Sequence, residues 1–212
     1  MNDNDLNNIL KELKEKSTKR KFTQSVDIAV NMMQIDLKKP QNKFIEEIRL
    51  PKGRGRDIKV AVIGDSLVVK SKGVADGLIN EKSLSEIEGD KKAIRKMISS
   101  YDFFIAEAPF MIRIGKNLGR YMAPKGKMPK PLPPQADPVP MIKMLKNTVR
   151  AALQNNYVIH CPIGNESMSN EDLAANFNAI MQAIEKKLPS GRNNIKSVYI
   201  KTTMSQPMKI NY

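Results

Sequence analysis

Asp57-Ile-Lys-Val-Ala-Val-Ile-Gly64 (DIKVAVIG, residues 57–64) is a short apolar run closed by a glycine. Ile58, Val60, Ala61, Val62 and Ile63 leave no wet face, the pattern of a strand covered on both sides in a parallel sheet. Residues 103–106 (FFIA) repeat it. Between the two runs, residues 91–99 carry Ala93, Ile94, Met97 and Ile98 at helical spacing, and residues 141–153 read as a further helix. Apolar strands alternating with helices predict an α/β domain with a parallel sheet, a three-layer Rossmann-like arrangement, over residues 57–152.

The flanking segments are built differently. Leu6, Ile9, Leu10 and Leu13 recur at i, i+3, i+4 and i+7, an amphipathic helix opened by Asp3 or Asp5. Val26, Ile28, Val30 and Met32 alternate with Asp27, Ala29 and Asn31 in a half-buried strand, and residues 44–50 read as its partner, ending at Pro51. A Gly-rich basic connector, residues 52–56, follows. After the α/β stretch, residues 157–161 read as a strand. Ser169 and Asp172 fit a capping box before a helix whose apolar face is Leu173, Phe177, Ile180 and Ile184. Pro189, Ser190 and Gly191 stop that helix, and Val198 and Ile200 alternate with Tyr199 and Lys201 in a final strand. The chain ends together predict an α+β domain, residues 1–56 plus 153–212, into which the α/β domain is inserted. The crossings, near residues 54–57 and 153–156, are expected to act as a double hinge. PKPLPPQADPVP, residues 129–140, reads as a stiff extended loop.

The 212 residues carry 36 Lys+Arg against 22 Asp+Glu, a formal net charge of +14, and 41 % are hydrophobic. That apolar fraction excludes outright disorder, and no apolar run approaches the ~18 residues of a membrane span. The opening MNDNDLNN lacks the basic and apolar regions of a secretory signal. One cysteine, Cys161, excludes a disulfide framework and fits a reducing compartment. With one histidine, His160, it also leaves too few ligands for a His/Cys zinc site. Charge of this size points to a polyanion, with nucleic acid foremost. Residues 1–56 hold +5, residues 57–152 hold +7 and residues 153–212 hold +2, so the insertion is expected to carry the largest share. Three clusters stand out: Lys16, Lys19, Arg20 and Lys21; Lys52, Arg54 and Arg56; and RIGKNLGRYMAPKGKMPK, residues 113–130, with six basic residues and no acid. Any one alone is compatible with a solvated surface.

Catalytic chemistry finds little support. GRGRD, residues 53–57, has neither the spacing nor the context of a dinucleotide loop, and APKGKMP, residues 123–129, lacks the first Gly and the Ser/Thr of a P-loop. His160 and Cys161, adjacent in a strand, project to opposite faces, as do Glu46 and Glu47. Neither pair can work as a nucleophile with its base or as a carboxylate dyad. The alternative to a binding protein is an RNA- or nucleotide-processing enzyme that uses the α/β domain. With 5 % aromatics and no Trp, generic single-strand stacking is weakly supported. Structured RNA is read through phosphates and 2′-hydroxyls by Lys/Arg, Ser/Thr and backbone groups. KRKFTQSVD, residues 19–27, and YIKTTMSQP, residues 199–207, supply such groups if the first and final strands are neighbours. Phe22 and Met204 are then either core residues or apolar contacts on that edge.

LGRYMAPKGKMPKPLPP, residues 118–134, is very similar to the signature of the large-subunit ribosomal protein one family, the "L-one" stalk proteins. KRKFTQSVDIAV, LPKGRGRDIKVAVIGD, YDFFIAEAP and VYIKTTM resemble the same family in the same order, closest to its archaeal branch. The resemblance implies a two-domain protein of the cytoplasmic large ribosomal subunit, with no cofactor, no metal and no membrane association, monomeric off the ribosome. It implies binding to a structured region of large-subunit rRNA, contact of the second domain with deacylated tRNA at the exit site, and repression of translation through its own mRNA. Carried onto this chain, the implied rRNA and mRNA site comprises Lys21, Phe22, Ser25 and Asp27 with Thr203 and Met204. Arg20, Lys201 and Ser205 join it on the same basic, hydroxyl-rich edge. Arg120, Lys125, Lys127 and Lys130 are implied to make tRNA or secondary RNA contact. Where the family reads Thr-Met-Gly-Pro this chain reads Thr203-Met204-Ser205-Gln206-Pro207, and Ser in a left-handed conformation there would cost roughly 1 kcal/mol.

Overall fold

The computed structural model describes residues 3–212, with side chains from Leu6 onward. Met1 and Asn2, where the absence of a signal was read, and the capping side chains of Asp3 and Asp5 lie outside the described residues. The chain opens with helix α1 (Asp3–Lys16) and strands β1 (Ser25–Met32) and β2 (Phe44–Arg49). It continues through β3 (Val60–Ile63), α2 (Ser66–Lys70), β4 (Gly77–Ile79), α3 (Glu81–Glu88), α4 (Lys91–Ser100) and β5 (Phe103–Glu107). Then come α5 (Phe110–Asn117), α6 (Gly119–Met122), β6 (Lys130–Leu132) and α7 (Val139–Lys146). It closes with β7 (Thr148–Leu153), β8 (Val158–Asn165), α8 (Asn170–Lys187), β9 (Ile195–Thr202) and β10 (Met208–Ile210). Two compact units result, a terminal one formed by the segment up to Arg56 with Asn147–Tyr212, and an inserted one, Asp57–Lys146.

In the terminal unit a four-stranded sheet has the order β10-β9-β1-β8, with β1 antiparallel to both neighbours. Burial alternates strictly along β1: Val26, Ile28, Val30 and Met32 enter the core while Ser25, Asp27, Ala29 and Asn31 stay half-buried. Leu6, Leu10 and Leu13 of α1 and Leu173, Phe177, Ile180 and Ile184 of α8 share that core. Ser169 caps α8 by accepting the Asp172 N–H at 3.0 Å. Because β8 and β9 occupy both edges of β1, residues 44–50 are not its partner; β2 pairs instead with β7, Ile48 facing Val149. A further strand, β10, follows the one expected to be last.

The inserted unit has a four-stranded sheet, β4-β3-β5-β6, in which every pair is parallel. All four residues of β3 are buried. Ala61, Ile63, Phe104 and Ala106 pack into one apolar cluster and Val60, Val62 and Ile105 into a second, so helices cover both faces in three layers. Four expectations need correction here. The third helix does not reach residue 153: α7 ends at Lys146 and residues 148–153 are β7. Ile142, Leu145 and Val149 mimic a helical repeat, but Val149, Ala151 and Leu153 are buried at period two against β2. The return crossing therefore falls before Asn147, and with Arg150 transferred the terminal unit carries +8 and the inserted unit +6, where the expected boundaries give each +7, so the insertion does not hold the largest share. The proline-rich stretch is not a bare loop, because Lys130–Leu132 form the parallel edge strand β6.

Gly64 ends β3 at φ +146°, and a Cβ there would lie 2.5 Å from Cγ of the buried Glu107. Glu107 accepts the Leu67 N–H at the start of α2, 2.7 Å away. Gly64→Ala must strain the backbone and displace that carboxylate. Urea denaturation should show the inserted unit losing about 2–3 kcal/mol, and an unchanged midpoint would contradict this packing.

Candidate nucleic-acid interface

The antiparallel pairing of β1 with β9 brings residues 178 positions apart into contact. Just past the Val26–Thr202 pair, Thr203 donates its N–H to the Ser25 carbonyl at 3.1 Å, and its Oγ1 accepts the Ser25 N–H at 3.1 Å. The Ser25 hydroxyl donates to Asp27 Oδ2 at 3.1 Å. Its single proton is thereby committed, so the Thr203 hydroxyl, 3.1 Å from Ser25 Oγ, is the donor in that contact. Thr203, Ser25 and Asp27 form a directed chain along the exposed edge. Phe22 and Met204 flank it at 51 % and 52 % exposure, so neither is a core residue. Arg20 and Lys21 are exposed in the loop before β1, and Lys201 stands opposite Asp27 on β9.

Beneath this edge lies a second, buried network that sequence reasoning missed. Gln24 is 0 % exposed. Its amide donates to Ser17 Oγ at 3.1 Å and the Thr18 carbonyl at 3.0 Å, and its Oε1 accepts the Met204 N–H at 3.1 Å. Its backbone exchanges two hydrogen bonds with Glu166, each 3.0 Å. One side chain thus ties the basic loop to the 203–207 loop. The signal was available: extending the buried set of β1 backwards by two makes position 24 an inward one, and a polar residue there demands partners.

Ser205 stands in no left-handed conformation, so the expected strain is absent. Its hydroxyl accepts the Thr202 N–H at 2.9 Å and donates to the Gln206 carbonyl at 3.1 Å, closing the turn by side-chain chemistry. Beside Ser25 and Asp27 opens a groove of about 310 Å³, lined also by Thr23, Arg54, Arg56, Asn165 and Ser167. Gly55, at φ +68°, lies so close to Asn165 and Met168 that a Cβ would meet them at 2.9 and 2.8 Å, and the Asn165 amide donates to its carbonyl. The PKGRGR cluster, Arg54 and Arg56, therefore shares the face of the expected RNA site, a proximity no local spacing reveals. Opposite Val26 and Asp27, β8 carries a bulge at Pro162–Gly164. Cys161 is buried, and burial pushes its thiol up to about 12, while His160 is exposed on the opposite face.

The second expected set is divided in use. Lys127 donates to the Ile98 carbonyl at 2.8 Å and to that of Tyr101, closing the end of α4. Arg113, from the same basic run, is bound to Glu88 and Glu81, and hydrogen bonding to Glu88 raises its pKa. Lys125 is exposed, Arg120 is exposed with its guanidinium 5.6 Å from the Tyr121 ring centre, and Lys130 is half-buried on β6. In the inserted sheet, the strand order reverses between β3 and β5, where open parallel sheets bind ligands. Gly64 and Glu107 fill that crevice, and the Glu107 carboxylate takes the Leu67 N–H that a phosphate would use. Among the described residues no group of three or more His, Cys, Asp or Glu could hold a metal ion, and no helix is long and apolar enough to cross a membrane.

Residues 13–206 match the ribosomal protein L1p/L10e family. The chain is 46 % identical over 211 residues to the large ribosomal subunit protein uL1 of Thermoplasma volcanium, covering 99 % of this chain and 97 % of that one. It is 46 % identical over 203 residues to its counterpart from Pyrococcus horikoshii, covering 95 % and 93 %. The counterpart from Methanothermobacter thermautotrophicus is 41 % identical over 204 residues, covering 95 % and 96 %.

Gln24→Met keeps the side chain's length but strands the Met204 N–H and the Thr18 carbonyl. The terminal unit should lose about 1–3 kcal/mol on denaturation, and the Met204 amide should exchange with solvent markedly faster. Unchanged exchange at Met204 would show that Gln24 does not hold the 203–207 loop.

Proposed function

The chain belongs to the ribosomal protein L1p/L10e family, and on that footing we propose that it is a constituent of the large ribosomal subunit that grips structured large-subunit rRNA through its terminal unit. The observation that carries this reading is the Thr203–Ser25–Asp27 chain flanked by exposed Phe22 and Met204. Hydroxyls in a fixed register can exchange hydrogen bonds with 2′-hydroxyls, and the Asp27 carboxylate accepts from a 2′-hydroxyl or a guanine edge. Arg20, Lys21, Lys201, Arg54 and Arg56 supply phosphate neutralisation around them, while Phe22 and Met204 rest on sugar faces. Ser205, by closing its own turn, keeps Met204 presented.

The same surface suits a similar fold in the protein's own mRNA, which makes translational repression part of the proposal. For the inserted unit we assign Arg120, Lys125 and Lys130 to tRNA at the exit site, and give Lys127 to the fold because it caps α4. The protein's family is one of structural, non-enzymatic ribosomal proteins. The filled crevice at Gly64 and Glu107 is a further argument against a nucleotide-processing reading of the inserted unit.

Replacing Thr203 and Met204 together by Ala should weaken binding to large-subunit rRNA by about tenfold or more, a loss of ~1.4 kcal/mol or more, in a filter or fluorescence titration at fixed salt. Unchanged affinity would place the site elsewhere. The segments that flank the insertion come together, since the Leu50 N–H donates to the Asn147 carbonyl at 2.8 Å and Gly53 lies against the Asn147 side chain. A short Gly/Ser linker can therefore replace residues 57–146, and rRNA affinity should then stay within about threefold of the full chain, or ~0.6 kcal/mol. Loss of binding would move the site into the inserted unit.

A further inference from the structure

The face of the terminal sheet away from its helices carries an ordered set of side chains that continues the edge just described. Strand pairing aligns Lys209, Tyr199, Ala29 and His160 in one row across β10, β9, β1 and β8. The next row on that face is Lys201, Asp27 and Pro162, and beyond it stands the Ser25–Thr203 contact. All of these residues are exposed or half-buried, whereas their neighbours along each strand, Ile28, Ile159, Cys161, Val198 and Ile200, are in the core.

The middle of the row has a particular shape. Tyr199 and His160 lie on strands flanking β1, so about 10 Å separates their backbones. Between them stands only the methyl group of Ala29. The row thus sets one ring-bearing side chain on each side of a small residue. Lys209 and Lys201 lie at its margin on the β9–β10 side, cations suited to the phosphates of a strand entering from the Ser25–Thr203 edge.

We propose that this row is a second RNA contact, in which one unpaired nucleotide base of the bound RNA stacks over Ala29 between Tyr199 and His160. The inference rests on the reading of the Ser25–Thr203 edge as the rRNA site and extends it along β1 by four residues. Base stacking on sheet aromatics is sequence-tolerant and depends on ring faces, not on charge. The two rings therefore add affinity that does not depend on phosphate contacts, which fall to Lys201 and Lys209.

The test is a titration of the full chain with full-length large-subunit rRNA, an unrelated RNA of equal length serving as reference, at several salt concentrations. Tyr199→Leu and His160→Leu, with folding checked by circular dichroism, should each weaken rRNA binding by about fivefold to a hundredfold. The slope of log affinity on log salt should not change. Tyr199→Phe, which keeps the ring, should bind as the parent does. His160 is exposed, so its substitution carries the test if Tyr199→Leu does not fold. Full affinity in both Leu variants, alongside a weakened Thr203/Met204 double variant, would overturn the row as an RNA contact. Equal loss in Tyr199→Phe would overturn stacking. Full rRNA affinity with failed incorporation into large subunits would give the face to a protein neighbour and also overturn the inference. No preference of the parent chain for rRNA over the reference would overturn the reading of the edge, and this inference with it.

Discussion

Everything in the terminal unit depends on β1 being an interior strand made by the chain's beginning and flanked by strands made by its end. Hydrogen bonding on both edges forces β8 and β9 to close around residues 25–32, although more than a hundred residues intervene. Register then does the rest. With Val26, Ile28, Val30 and Met32 committed to the core, a slip of one residue would expose the whole set, so the pairing of Val26 with Thr202 is tightly specified. That pairing brings Ser25 and Thr203 together and leaves the odd-numbered residues of β1 facing outward. The insertion leaves after Arg56 and rejoins at Asn147, whose carbonyl and side chain lie against Leu50 and Gly53 of the departing segment, so ninety residues can be accommodated without disturbing the register.

Polar chemistry is layered around that strand. Gln24 sits where alternation demands a buried residue and satisfies four partners from three chain segments, which fixes the loops on either side. Outside it, the Thr203–Ser25–Asp27 chain presents hydroxyls and a carboxylate in a fixed order, and Phe22 and Met204 present apolar surface. Charge alone would have misdirected attention. The densest basic run lies in the inserted unit, yet Arg113 is held by two glutamates and Lys127 by helix-end carbonyls. Meanwhile Arg54 and Arg56, from a modest cluster, share a groove with Asp27.

How much of this was legible in the sequence depended on whether the cause was local. The buried run of β3, the helix of residues 91–99, the Ser169 cap and the alternation of β1 and β9 are consequences of spacing, and spacing can be read. The pairing of β2 with β7 was not readable, because nothing in FIEEIR names a partner a hundred residues away and the nearest strand is the natural guess. The misread helix at 147–153 has the same origin: Ile142, Leu145 and Val149 satisfy a helical period until β2 supplies the other option. Side-chain roles were harder still. Ser205 looked strained where a glycine is usual, but its own hydroxyl closes the turn. The crevice at Gly64 is occupied by a glutamate forty-three residues on, visible only once β3 and β5 are adjacent.

The central claim is that the exposed edge at Phe22, Ser25, Thr203 and Met204 lies against large-subunit rRNA. A photo-crosslinking amino acid placed at position 22, and separately at position 125, in chains assembled into large subunits tests it most directly. The account predicts an efficient crosslink from position 22 to one rRNA region that is lost when Thr203 and Met204 are both replaced by Ala. No rRNA crosslink from position 22, with a strong one from position 125, would contradict it.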